Sequence, residues 1–237
     1  MKSSSSCSDS EALKTRGPTN PSFDSGERMS PYFSLLAILS ILAPTLARLR
    51  HYEFAINNNG TKGEFILQVD DTWAPLGAAR FHELFEADFF PKVRFFRAIS
   101  GFMAQFGIHG KPEVSKEWRE KKLLDDPVVE SNKKYTLSFA TSGKDSRTTQ
   151  IFINFADNAN LDGMGFSPFG KVISGFDAVD AIVTKFGEGG AGDGKDGKGP
   201  SQQRIQEEGN YYLRRTFPEL SYIESVIEVA VAIKDDL

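Results

Sequence analysis

A mainly β fold, a barrel or sandwich carrying helical caps, is what this sequence predicts, and three observations support it. Asn59-Gly60 lies between two alternating runs, a strong hairpin signal. Short strand-like runs follow at 93–99, 102–107, 135–140, 150–155 and 169–173. Helical periodicity is confined to a few stretches. Many short strands with few helices is the pattern of sheets that close or pack face to face.

The elements follow in chain order. Residues 1–30 are Ser-rich, with Pro and Gly and no apolar period, and read as a disordered tail. "PYFSLLAILSILAPTLA" (31–47) then runs uncharged up to Arg48. It is shorter than the roughly 20 apolar residues that a spanning helix needs. It suits the apolar region of a signal peptide, with Thr45 and Ala47 as small residues before a cleavage point. An uncleaved membrane anchor and a buried core helix are the alternatives, and a start at Met29 would shorten the region before it. The expected location is the secretory pathway, a membrane-associated or exported state, or an organelle reached through a signal-like leader. The triplet Asn59-Gly60-Thr61, an N-glycosylation acceptor pattern, fits export.

The folded body is expected over 48–237. Residues 51–71 read as the hairpin. "TWAPLGAARFHELFEADFF" reads as a helix, with Pro75 near its start and Phe81, Leu84, Phe85 and Phe89 on one face. A second helix is expected over 175–186, with Phe176, Val179, Val183 and Phe186 on its apolar side. Residues 187–200 read as a flexible Gly-rich linker, 201–216 as an extra helix with a polar face, and 224–233 as a closing strand. Gly187, Gly189 and Gly192 form G-x-G-x-x-G, but after a helix rather than a strand, so a dinucleotide site is not expected.

Composition removes several function classes. Net charge is −4, and residues 1–47 hold equal numbers of each sign, so the excess of acid lies in the body. A mildly acidic body argues against a nucleic-acid backbone as partner. The one cysteine, Cys7, excludes an intrachain disulfide framework and a thiolate cluster. His51, His82 and His109 lack close metal-ligand spacing, and no G-x-S-x-G elbow or P-loop occurs. Neither metal nor cofactor is expected.

One residue stands out. Arg97 lies in the apolar run "RFFRAISGFMAQFG", and an unpaired buried guanidinium is costly, so a partner or a task is implied. Gln105 lies an even number of residues further on, which puts both on one face of extended chain.

Four ordered blocks then resemble a family. "FFRAISGFMAQFG" (95–107), "LSFATSG" (137–143), "TTQIFINFADNANLDG" (148–163) and "FGKV" (169–172) are similar to the cyclophilins, peptidyl-prolyl cis-trans isomerases. The match in order and spacing covers roughly 52–190. It implies a closed eight-stranded antiparallel barrel capped by two helices, here with an extra C-terminal helix. The implied activity is rotation about X–Pro bonds in proline-containing polypeptides, by a monomer, with possible membrane anchoring through 31–47. By motif, Arg97 and Gln105 take the catalytic positions, Gln105 orienting Arg97. Phe102, Met103, Phe152 and Leu161 become the proline pocket, Gln150 lines the groove, and Ala140, Thr141 and Ser142 form the neighbouring subsite. A non-catalytic proline-binding chaperone or scaffold module is the alternative. Two positions depart from the family pattern: Asn160 stands where tryptophan is often found, and "MGFSP" replaces a usual histidine, leaving Phe166 to wall the pocket. The form "LDGMGFSPFG" with the long tail resembles a divergent, bacterial-like branch.

Overall fold

The computed structural model describes residues 49–190 and 198–231. The expectations for 1–30, 31–47 and Cys7 lie outside those residues, as do positions 191–197 of the Gly-rich stretch. Among the described residues no helix is long and apolar enough to cross a membrane.

Among the described residues eight strands build one sheet: β1 (Leu49–Asn58), β2 (Thr61–Asp70), β3 (Arg97–Ile99), β4 (Met103–Phe106), β5 (Thr136–Phe139), β6 (Ile151–Asn154), β7 (Pro168–Ser174) and β8 (Tyr222–Val229). Their order is β3-β4-β6-β5-β7-β2-β1-β8. The expected hairpin is β1–β2, with Asn58 opposite Thr61. Asn59 (φ 52°) and Gly60 (φ 95°) are both left-handed, as a two-residue turn that follows the strand twist requires. Alternation then does its work. Tyr52, Phe54 and Ile56 on β1 and Phe65, Leu67 and Val69 on β2 are all buried. Phe54 sits opposite Phe65, and their rings stack at 4.9 Å.

Helix α1 (Pro75–Glu86) starts on proline and buries Phe81 and Leu84 against the sheet, with Phe81 touching Phe90 and Phe169. It has no cap of its own. Asp126 supplies one from across the fold, accepting from the N–H groups of Leu76 (3.0 Å) and Gly77 (2.9 Å) and from Arg147 Nη1 (3.0 Å). A carboxylate there also complements the positive end of the helix dipole.

The closed barrel expected from the resemblance is corrected: the sheet is a curled half-barrel with β3 and β8 as its edges. β3 has three residues, and the chain before it turns through Lys92 at φ 67°. Only the residues before β3 reach β8 and its start. Lys92 N–H bonds to the Ile223 carbonyl (2.8 Å), Ile223 N–H to that of Val93 (2.9 Å) and Phe95 N–H to that of Ser221 (2.9 Å), an isolated bridge at Arg94–Tyr222 that β3 itself does not extend into a ladder.

Three helical expectations also change. The 175–186 helix is only α3 (Phe176–Asp180), because the Val183 amide is taken by Ser221 Oγ at 3.0 Å instead of continuing the helix. An unexpected helix, α2 (Pro112–Arg119), buries one ring, Trp118, beneath Arg80 and Lys121; a polar surface around a single ring leaves little periodicity to read. Helix α4 (Gln202–Thr216) is the extra helix, broken at Gly209 (φ 58°, ψ −143°). A Cβ there would lie 2.1 Å from the Gly110 carbonyl, which the Asn210 N–H uses at 2.8 Å. Its apolar face, Ile205, Tyr212 and Leu213, forms a second small core with Phe96, Ile108 and Phe217.

The described ends of the Gly-rich stretch are tied down rather than free. Gly187 bridges to Ala98 of β3, and Gly189 bridges to Gly199.

Candidate active site

Short strands and tight turns bring the site together. On β3 and β4, Arg97 pairs directly opposite Gln105, and Gln105 in turn pairs opposite Phe152 of β6. The three side chains therefore form a row on one face of three adjacent strands. Met103, two residues before Gln105, shares that face. It packs with Phe152 and Leu161 in a cluster walled by Ile99, Phe102, Ala140 and Phe166. The cluster floors a cavity of about 510 Å³.

Every site residue expected from the sequence lines that cavity: Arg97, Phe102, Met103 and Gln105; Ala140, Thr141, Ser142 and Gln150; Phe152, Leu161 and Phe166. The polar members form a relay. Gln150 Oε1 accepts from Gln105 Nε2 (2.7 Å), and Gln105 Oε1 accepts from Arg97 Nη1 (3.1 Å). Fixing the amide of Gln105 at its nitrogen turns its oxygen toward Arg97, so Gln150 acts on Arg97 at one remove. Phe152 and Phe166 meet edge to face at 5.5 Å, and the Arg97 guanidinium lies 6.0 Å from the Phe102 ring centre.

Hydrogen bonds add to this packing in holding the surrounding loops. A 3₁₀ turn, Ala159–Met164, carries Leu161. Asp162 anchors it, accepting from Ser131 Oγ (2.5 Å) and from the backbone (2.9 Å) and side chain (2.7 Å) of Asn132. Burial raises the Asp162 carboxyl pKa, but these donors outweigh it and hold the net value below the ordinary one. Asn132 Nδ2 also reaches the Phe166 carbonyl (2.8 Å), so one side chain fixes both ends of the loop. In the 141–146 loop, Ser146 Oγ lies 2.8 Å from Thr141 Oγ1 and accepts from Ser142 N–H at 3.0 Å. Asn160 is exposed on its turn and is not part of the cavity wall.

Sequence reasoning missed Glu188. It grips Arg97 with both oxygens, accepting from Nε (2.6 Å) and Nη2 (2.8 Å). The bond from Arg97 is the main cause that holds its carboxyl below the usual range; partial burial opposes this, and the Gly189 N–H assists it. A guanidinium has five N–H donors. Glu188 takes two and Gln105 one. One on Nη2 then remains, with one on Nη1 that has only a 4.0 Å contact to Met103 Sδ. Also missed were Arg119 and Lys122, which line the same cavity from α2 and just beyond it, and Gln202 at the start of α4. No short-range pattern marks any of these, since the fold alone joins them to Arg97.

The histidines serve elsewhere. His82 lies between Tyr52 (2.7 Å) and Asp71 (3.0 Å), His51 beside Gln68 (3.0 Å), and His109 accepts from the Lys111 N–H (3.1 Å).

Comparison with known proteins follows the same line. A family model described as cyclophilin type peptidyl-prolyl cis-trans isomerase/CLD matches residues 52–208. Peptidyl-prolyl cis-trans isomerase A of Dickeya dadantii is 37% identical over 131 residues, which span 51% of this chain and 66% of that protein. Peptidyl-prolyl cis-trans isomerase cyp18 of Streptomyces antibioticus is 32% identical over 137 residues, 52% of this chain and 80% of that one. In fold, the chain is similar to the crystal structure of a Cryptosporidium parvum cyclophilin type peptidyl-prolyl cis-trans isomerase. The TM-score is 0.54 at 16% identity, over 78% of this chain and 99% of the other.

Proposed function

This chain belongs to the cyclophilin-type peptidyl-prolyl cis-trans isomerases, and from that premise we propose that its cleft accelerates X–Pro rotation in polypeptides through Arg97. The uncatalysed barrier is about 18–20 kcal/mol, because rotation breaks amide resonance. In the twisted transition state the proline nitrogen regains its lone pair and becomes an acceptor. A guanidinium N–H aimed at that nitrogen stabilises the twisted state more than the planar one, and only such a difference lowers a barrier. No proton is transferred, so the absence of a positioned acid or base from the relay is no obstacle.

The parts divide accordingly. Met103, Phe152, Leu161 and Phe166 hold the pyrrolidine ring in an apolar wall, which strips water from the reacting nitrogen. Gln105 on one side and Glu188 on the other hold the guanidinium plane, leaving an N–H on each Nη for the substrate. A rate enhancement of about 10⁵ requires about 7 kcal/mol, more than one charge-assisted hydrogen bond provides, so desolvation and backbone grip by Gln105 and by 140–142 must add to it. The observation that carries the proposal is the direct cross-strand pairing of Arg97 with Gln105 over that apolar floor.

Exchange spectroscopy on an X–Pro peptide tests it: an exchange rate that rises with enzyme supports isomerisation, and binding without acceleration favours the chaperone reading. We propose further that the chain acts as a monomer and that the uncharged segment 31–47 routes it into a membrane system. N-terminal sequencing of a mature protein beginning at Met1 in soluble cytosol would contradict that routing.

A further inference from the structure

A second cavity, of about 270 Å³, is lined by Lys92, Arg94, Asn210, Arg214 and Tyr222 and shares no residue with the isomerase cleft. Three of its five lining residues are cations and none is an acid. Arg94 is the unusual member, because it is only 9% exposed. A buried guanidinium is normally matched by a carboxylate, since an uncompensated buried charge is among the costliest arrangements in a fold. Among the described residues Arg94 has no such partner. Its Nη1 reaches the carbonyls of Leu220 (3.3 Å) and Pro218 (3.5 Å), both at the long limit for hydrogen bonds. Its Nε is buried without a hydrogen-bond partner among the described residues.

The neighbours add to the imbalance. Arg214 brings a second guanidinium, whose Nε bonds only to the Asn210 carbonyl (3.2 Å). Together with burial, which is the larger cause, this like charge pushes Arg94 below its ordinary pKa. The Tyr222 ring lies 5.1 Å from both Lys92 Nζ and the Arg94 guanidinium, so both cations share contact with one ring. Glu224, two residues from Tyr222, bonds to Asn57 (3.2 Å) and Lys62 (3.4 Å), and the Lys92 charge is only a lesser influence on it.

We propose that this pocket is a binding site for the phosphate group of a small molecule. Three converging cations match a dianionic group better than a monocarboxylate, and two guanidinium forks suit the several acceptor oxygens of phosphate. The pocket has room for that group together with part of the small molecule that carries it. Its position between the chain entering β3, the end of α4 and the start of β8 makes the ligand a brace across the open edge of the half-barrel.

The test uses the full chain and inorganic phosphate, with acetate and chloride at matched ionic strength. Thermal unfolding and calorimetric titration are the readouts, since a ligand bound only to the folded state raises the midpoint saturably. Arg94→Gln would also release the 218–220 turn, so the informative variant is Lys92→Gln with Arg214→Gln, both exposed residues. Phosphate should bind saturably and acetate should not. The double variant should weaken phosphate at least about tenfold, with X–Pro turnover unchanged. An equal, unsaturable response to all three salts, or undiminished phosphate binding by the double variant, would mean an adventitious ion only and would overturn the site. Either result leaves the isomerase reading untouched.

Discussion

Arg97 and Glu188 meet across 91 residues in a two-point ion pair, with Nε 2.6 Å from one carboxylate oxygen and Nη2 2.8 Å from the other. The pair works against Gln105, which holds Nη1 from the opposite side at 3.1 Å, so the guanidinium plane is set by two partners on different elements. The Gly187–Ala98 bridge delivers Glu188 to this place.

If Glu188 positions Arg97, the hydrogen bond matters more than the charge. Glu188→Ala should lower kcat/KM about three- to tenfold, or about 0.7–1.4 kcal/mol of transition-state stabilisation. Glu188→Gln keeps an acceptor and should restore most of it. An unaltered rate in the alanine variant would remove Glu188 from the machinery.

The same pair predicts a pH dependence. Arg97 holds the Glu188 carboxyl below its ordinary value of 4.5. A depressed carboxylate contributes stability that is present above its unfolded value and is lost as pH falls through the folded one. The stability that the pair contributes should therefore be whole above the ordinary value of 4.5 and fall progressively as pH drops below it, while turnover, which depends on the acceptor rather than the charge, changes little. Glu188→Gln should lack that acid limb. The pair is half-exposed, so added salt should weaken the effect.

Asp126 and Arg147 form the most buried ion pair described, with side chains 1% and 2% exposed. Asp126→Ala strips the cap from α1 and leaves Arg147 with only one carboxylate contact, the longer one to Asp125 (Nε–Oδ1 3.7 Å). Breaking such a pair from one side costs about 3–5 kcal/mol, so chemical denaturation should show a loss of that order. Asp126→Asn, which can still accept from one helix amide, should lose less. A shift below about 0.5 kcal/mol, the range of ordinary surface changes, would contradict this role for Asp126.

Much of this was legible in the sequence because it depends on neighbours along the chain. The Asn-Gly turn, the alternation of β1 and β2, and the even spacing of Arg97 and Gln105 are local signals, and the structure repeats them. What failed depended on distant groups. The helix at 175 stops early because Ser221 takes the Val183 amide, and the sheet stays open because β3 is too short to pair with β8. Glu188 sits among glycines, where composition signals a linker; only the Gly187 bridge reveals it as a partner of Arg97. Residue types were readable, whereas pairings across the fold were not.

Asn160 carries a prediction about cyclosporin, the cyclic peptide that blocks many cyclophilins from this groove. Where the family often has tryptophan, an indole N–H and a broad ring meet the drug. Asn160 is exposed, offers a shorter donor, and has no ring. The loss should be about 1–3 kcal/mol, or roughly ten- to a hundredfold in affinity. Asn160→Trp should recover part of it, with turnover nearly unchanged. Nanomolar inhibition of the unaltered chain would show that Phe166 or its loop fills the gap.

The central claim is that Arg97 stabilises the twisted imide, and the most direct measurement is X–Pro exchange by NMR with the full chain and its Arg97→Ala variant. The expected result is at least about a tenfold fall in turnover, or about 1.4 kcal/mol, with little change in thermal midpoint because the side chain faces the cleft. Arg97→Lys should remain well below wild type, since an ammonium cannot accept the two-sided grip of Gln105 and Glu188. Wild-type turnover in Arg97→Ala would contradict the account.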